Sequence, residues 1–315
     1  MDSKACIIFD VDGVLIDTRK SYTESIKRSV QYLVKYIDPA VENVQTLVSD
    51  ELIFRFRKSG MFNNDIDTSY AFILSILCKP SKISDLPLFI ENIASNATFE
   101  GIKSVEKYLQ SCSEARLIKV KELLNYPGNI DNSILSRVFD EFFYGTTLFR
   151  KQHGRNARYY FGSPLIEDDE LLVRDSTLKK LSKLFEKRLA IVSGRSRVAT
   201  EYSMKSLVDY FDSNASIYLE DEKREMGKPN PSALIKSIKS FGVSNAFYVG
   251  DSTEDLLMVQ RARSASQLNI KLIGVCTSKA SLNQISNLFN HNGKSVMLKD
   301  VNELPNILNK VEAQF

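Results

Sequence analysis

Cysteine is scarce and scattered. Four are present, at positions 6, 78, 112 and 276, with no CxxC pair and no Cys/His cluster. This spacing argues against a disulfide framework and a structural zinc site. It predicts reduced, mostly buried thiols in a cytoplasmic protein. Histidine is scarcer still, with only His153 and His291. Nor does charge of one sign accumulate. The formal net charge is +3 over 315 residues, too small to argue for nucleic acid or an anionic membrane as a partner. No run of about 18 apolar residues occurs. The start, MDSKACIIFD, lacks the long apolar region of a signal peptide, so neither a membrane span nor secretion is expected. There is no internal repeat and no low-complexity tract. The remainder, with 43% hydrophobic and 26% charged residues, has a globular composition. Its length suits one large domain or two ordinary ones.

What is present is an alternation of short apolar runs and amphipathic stretches. Residues 5–9, 188–192, 216–219, 246–250, 271–275 and 295–298 read as strands buried on both faces. Helical patterns near 176–187, 196–210, 231–241, 253–268 and 278–290 lie between them. The predicted class is α/β, a Rossmann-like doubly wound parallel sheet. The first strand is separated from the second by a long region of helical character. Ser21-Tyr-Thr-Glu24 fits a capping box, and Ile26, Val30, Leu33, Val34 and Ile37 follow at helical spacing before Asp38-Pro39. Residues 101–124 and 131–143 carry similar stripes. The expected organisation is a catalytic core of residues 1–17 and 171–315, with a helical domain, 18–170, inserted after strand one.

Four segments carry chemistry. In IIFDVDGVLID, residues 7–17, Asp10 and Asp12 stand at the carboxyl end of a buried strand. Ligands bind at that end of open parallel sheets. Alternate strand residues share a face, so the two carboxylates start out together, and Gly13 permits a tight turn. Asp and Gly are also common turn and cap residues. In GDSTED, Asp251 follows a strand and Asp255 comes four residues later. Two such carboxylate pairs at one sheet edge would repel, and a hard divalent cation resolves the repulsion. Glu254 reads as a charge complementing a helix dipole. In IVSGRSR, Ser193 and Gly194 precede a helix, where a hydroxyl and backbone amides can hold a phosphate oxygen. In MGKPNP, Lys228 offers a point charge to a phosphoryl group. Singly, the last two are also an ordinary turn and a solvated lysine.

In order, DVDGVLID, VSGR, GKPNP and VGDSTED resemble the motifs of the haloacid dehalogenase superfamily, its phosphatases in particular. The resemblance covers about residues 1–17 and 175–310. It implies a Rossmann-like core with a helical cap inserted between the first and second motifs. By that resemblance Asp10 is the nucleophile that forms an aspartyl-phosphate, and Asp12 is the general acid/base. Mg²⁺ is implied as cofactor, held by Asp10, the Asp12 backbone carbonyl and Asp251, with Asp255 ligating directly or through water. Gly13, Ser193, Gly194 and Lys228 surround the phosphoryl group. Dehalogenases and phosphonate hydrolases of the superfamily typically lack the second carboxylate, so Asp12 points to phosphate-ester hydrolysis or phosphomutase action.

In the inserted region, KSGMFNNDIDTSY at 58–70 holds Asn63 and Asn64. These are candidate substrate contacts, or an Asn/Asp-rich turn with Asp67 or Thr68 as N-cap. The basic, aromatic stretch RKQHGRNARYYFG at 150–162 reads as an anion contact or a solvated hinge. Neither histidine is needed by the chemistry. The expectation is a Mg²⁺-dependent phosphatase acting on a small phosphorylated metabolite, as a monomer or homodimer. A phosphosugar mutase or a non-catalytic metabolite-binding regulator on the same fold is the alternative.

Overall fold

The computed structural model describes residues 4–58, 62, 64–80, 82, 84–98, 100–276 and 295–311. The chain divides into two compact units, one of Met1–Thr18 with Asp169–Phe315, the other of Arg19–Asp168.

The first unit is built on a parallel sheet. Its strands are β1 (Ala5–Phe9), β4 (Leu189–Ser193), β5 (Ile217–Tyr218), β6 (Asn245–Gly250), β7 (Asn269–Val275) and β8 (Ser295–Leu298), in the order β5-β4-β1-β6-β7-β8. The register pairs Ile7 with both Leu189 and Phe247. Alternation explains why the strands are apolar throughout. Ala5, Ile7 and Phe9 enter one core with Leu178, Leu181 and Phe185. Cys6 and Ile8 enter the opposite core with Leu234, Ile238 and Val259. The covering helices are α8 (Asp175–Leu184), α9 (Arg197–Met204), α10 (Ser232–Ser240), α11 (Thr253–Ala265) and α12 (Leu304–Val311). The chain builds outward from β1 to β5, then restarts at β6 on the other side of β1. At such a reversal, open parallel sheets bind ligands beyond the carboxyl ends of the strands, here those of β1, β4 and β6.

Two details of this unit differ from the sequence reading, and a third is untested. A second sheet pairs β2 (Ile16–Asp17) antiparallel with β3 (Glu170–Leu171). Two-residue strands are too short to show a period. The helix expected over 196–210 ends at Met204, because Lys205 takes a left-handed φ of 51°, and a 3₁₀ turn continues to Tyr210. The helix expected over 278–290 falls outside the described residues.

The second unit is helical, with α1 (Arg19–Ile37), α2 (Val44–Leu47), α3 (Asp50–Lys58), α4 (Asp65–Leu77), α5 (Leu86–Ser95), α6 (Ile102–Leu124) and α7 (Ile134–His153). Helix α1 packs on α4 and α7. It buries Ile26, Val30, Leu33 and Val34 beside a row of small residues, Ser21, Ser25 and Ser29. The capping box expected at Ser21 does not form. The helix begins at Arg19, so Ser21 is buried inside it, and Glu24 pairs with Arg28 at 2.8 Å. Helix α4 is capped by Asn64, whose side chain accepts from the Ile66 and Asp67 amides, and not by Asp67 or Thr68. Helix α7 starts three residues later than expected, capped by Ser133, and runs past 143 through a break at Gly145. Among the described residues no helix is long and apolar enough to cross a membrane.

Candidate active site

At the end of β1 the Asp10 amide donates to the Val249 carbonyl at 2.9 Å, which ties the first strand to β6 where the acidic residues begin. The chain then turns within Val11–Ile16, with the Gly13 amide donating to the Ile16 carbonyl at 2.8 Å. Gly13 has φ +74°, and a Cβ there would lie 2.0 Å from Oδ2 of Asp251. Both the conformation and the close approach require glycine.

Asp10 is buried and meets a counter-charge. Lys228 Nζ lies 2.8 Å from Asp10 Oδ1 and 2.7 Å from Asp255 Oδ1, with its own side chain only 7% exposed. Lys228 reaches them from a loop of unit one and passes over the Tyr248 ring. Burial would neutralise this lysine, but the Asp10 and Asp255 charges overcome it and hold Lys228 above the ordinary lysine range. Burial pushes Asp10 up to about 6, with Lys228 opposing and the Asp255 and Asp12 charges adding to the rise. Asp10 is therefore largely ionised at neutral pH.

Asp255 is the organiser of the cluster. The β6 strand ends at Gly250, and α11 opens with Ser252 as N-cap in a capping box with Asp255. Asp255 Oδ2 accepts from the Asp251 amide (3.1 Å), the Ser252 amide (3.1 Å) and the Ser252 hydroxyl (2.8 Å). Its Oδ1 accepts from Tyr248 Oη at 2.7 Å as well as from Lys228. Burial opposes ionisation here, yet Lys228 and these donors hold the Asp255 pKa below the usual carboxylate value. Asp251 has the opposite balance. Burial, then the Asp255 and Asp10 charges, push it well above that value.

Asp10, Asp251 and Asp255 each offer an oxygen within 4.8 Å of the others. Three carboxylates face one ammonium, so the cluster holds excess negative charge. An all-oxygen donor set of that kind fits a hard divalent cation. With both Asp255 oxygens engaged, Asp10 and Asp251 are the more available donors.

Ser193 is the wholly buried last residue of β4, two positions past the Phe9–Ile191 pair, and Gly194 is exposed. The Ser193 hydroxyl accepts from the Arg195 amide at 3.4 Å. Further into α9, the amides of Ser196 and Arg197 are already spent on Glu220 and Asp221. Only the first residues of this turn can therefore serve an anion. Arg195 has no exposed side-chain surface and pairs with Asp12 and Asp169.

Thus Asp10, Gly13, Lys228, Asp251 and Asp255 meet directly, and Asp12 is bound to a residue of the Ser193 turn. Asn64 belongs to the helical unit, where its side chain caps α4. Asn63 lies outside the described residues, as does His291. His153 pairs with Asp140 at 3.0 Å in the helical unit. Sequence reasoning assigned no role to Arg195, Tyr248 or Asp169. An arginine in a Ser-Gly-Arg turn normally reads as solvated, and nothing local signals its burial.

No curated protein matches this chain at a significant level. Solved structures resemble it over nearly its whole length, three of them as follows. A structural-genomics target determined by X-ray methods has a TM-score of 0.68 at 18% identity, covering 99% of this chain and 100% of its own. A phosphatase from Thermococcus thioreducens has a TM-score of 0.61 at 23% identity, with 97% and 98% covered. A predicted phosphoglycolate phosphatase from Haemophilus somnus has a TM-score of 0.51 at 13% identity, with 98% and 99% covered. At these identities the likeness is one of fold. The family model for haloacid dehalogenase-like hydrolases matches residues 4–263, a span that contains all four acidic and basic motifs. With that match over most of its length, the chain belongs to the haloacid dehalogenase-like hydrolases.

Proposed function

We propose that this hydrolase is a Mg²⁺-dependent phosphatase acting on a small phosphorylated metabolite through an aspartyl-phosphate on Asp10. The observation that carries the reading is Lys228 held between Asp10 and Asp255, with Asp251 in the same cluster. An ionised buried carboxylate beside a fixed ammonium suits attack on an anionic phosphoryl group. A divalent cation held there would lower the repulsion between nucleophile and substrate.

Asp10 attacks phosphorus. The bond from phosphorus to the leaving oxygen breaks, and Asp12 gives that oxygen its proton. Asp12, now ionised, takes a proton from water as the water oxygen attacks phosphorus. The Asp10–phosphorus bond breaks, and inorganic phosphate and the Asp10 carboxylate are restored. Lys228 and the Ser193 hydroxyl hold the phosphoryl oxygens, with the Gly194 turn beside them. Asp10, Asp251 and the Asp12 backbone carbonyl would hold Mg²⁺, with Asp255 behind them. The ion would offset the charge of phosphate and carboxylates together. The inserted helical unit acts in this reading as the cap that selects the substrate, with Asn63 and Asn64 as candidate contacts. A cytoplasmic setting accords with the four free cysteines, and the protein acts in this reading as a monomer or homodimer.

The test is phosphate release from p-nitrophenyl phosphate and a panel of phosphometabolites, with and without Mg²⁺. Release that needs Mg²⁺ and is abolished in Asp10→Asn is expected. Full activity in Asp10→Asn, or none on any substrate, refutes the reading.

A further inference from the structure

Among the described residues, Arg195 is the largest wholly buried side chain. One arm of its guanidinium, Nη1, donates to Oδ1 of Asp12 at 3.1 Å. The other, Nη2, is anchored on Oδ2 of Asp169, on the Ser203 hydroxyl at 2.8 Å and on the Ala199 carbonyl at 3.5 Å. Ser203 in turn donates to Asp169 Oδ2 at 2.7 Å. The side chain of Asp169 is 2% exposed, whereas that of Asp12 is 31% exposed. Asp169, itself buried, supplies a counter-charge of the kind that burying the arginine demands. The second contact reaches past the anchor to a carboxylate at the open end of β1. A planar fork fixed on one side holds what it touches on the other.

We propose that Arg195 is a positioning residue for Asp12, with Asp169 and Ser203 as its anchors. The inference rests on the phosphatase reading, in which Asp12 must meet the leaving oxygen within hydrogen-bond reach. Asp12 follows a strand end and precedes the Gly13 turn, so its backbone alone does not set its carboxyl orientation. Arg195 fixes Oδ1, an oxygen that accepts a hydrogen bond whether Asp12 is ionised or protonated. The proton is then carried on Oδ2. In the first displacement the Oδ2–H bond breaks as the phosphorus–oxygen bond breaks, and the leaving oxygen receives the proton. Arg195 touches no reacting atom and does its work through Asp12.

A series of aryl phosphates of similar shape tests this, running from p-nitrophenyl phosphate to p-methylphenyl phosphate. The nitrophenolate leaves without help, whereas the methylphenolate needs a proton. For the wild type kcat/KM depends weakly on the leaving group. In Asp12→Asn the dependence steepens, because proton transfer of this kind is worth about 10²-fold or more. The charge-balanced pair Arg195→Met with Asp169→Asn avoids leaving one buried charge alone. It is expected to steepen the series in the same sense, with the poorest leaving group losing about tenfold or more beyond the best. Ser203→Ala removes one anchor and no charge, and is expected to steepen it less; thermal melts confirm that both variants fold. Uniform loss across the series, or no loss, in variants that fold overturns the positioning role while Asp12→Asn stays steep. A wild type silent on every member overturns the phosphatase reading, and the proposal with it.

Discussion

Gly13→Ala tests the site at its tightest point. The new Cβ would stand 2.0 Å from Asp251 Oδ2, where carbon and oxygen ordinarily approach to about 3.3 Å. The Asp251 carboxylate must retreat by roughly 1.3 Å, or the loop must open by as much. The φ of +74° adds a backbone cost of about 1–2 kcal/mol for any residue with a Cβ. Gly154→Ala is the matched control. It has φ +64° with nothing within 4 Å of the new atom, at the end of α7. It bears the backbone cost without the clash. Both variants should melt about 2–8 °C below the wild type. Only Gly13→Ala should also lose catalysis, by about 10²-fold for a displacement of this size, with a higher Mg²⁺ concentration for half-maximal rate. The assay is phosphate release against Mg²⁺ concentration, alongside thermal melts. A Gly13→Ala enzyme with wild-type rate and Mg²⁺ dependence would show that Asp251 does not act where the cluster places it.

Three further outcomes follow from the buried charges. Asp255→Asn turns an amide donor toward either Lys228 and Tyr248 or the Asp251 and Ser252 donors. It should cost about 3–5 kcal/mol, and a denaturant midpoint indistinguishable from wild type would contradict the pairing. Asp10 holds its proton to about 6 in the fold but loses it near 3.8 when unfolded, and Asp251 is raised in the same direction. At these two groups the unfolded chain therefore binds fewer protons between those values, and their contribution to the stability of the metal-free protein falls as pH rises through that window. Mg²⁺ competes with those protons, so its effect on melting temperature should be larger at about pH 7.5 than at about pH 5; an equal effect at both would refute the assignment. In the helical unit, Glu141 is wholly buried. It accepts from Arg137 Nε and from the amides of Arg158, Tyr159 and Tyr160. Glu141→Gln should speed tryptic cleavage at Arg155 and Arg158, and an unchanged digestion rate would deny that Glu141 anchors this segment.

The sheet was legible because each strand is short, apolar and buried on both faces, a pattern written in consecutive residues. The acidic motifs were legible because Asp10, Asp12, Asp251 and Asp255 stand at strand ends, and strand ends show in the pattern. Helix starts were less legible. Ser21 and Asp67 look like caps, but α1 and α4 begin earlier, since Asn64 takes the cap and Ser21 is drawn inside by packing. The pairing of β2 with β3 joins residues far apart in the chain through two-residue strands, and no local period marks it.

By itself the sequence determined the α/β class, the order of the strands and motifs along the chain, and the residue types available for phosphoryl chemistry. These are short-range properties, set by side-chain period and spacing. Only the tertiary structure decided which charges meet. It brought Lys228 to Asp10 and Asp255, turned Asp255 from a second open carboxylate into a saturated acceptor, and buried Arg195 between Asp12 and Asp169. The reason is that a charge inside a protein is stable only beside its partner, and the fold chooses that partner, for Arg195 and Asp12 across 183 residues of chain.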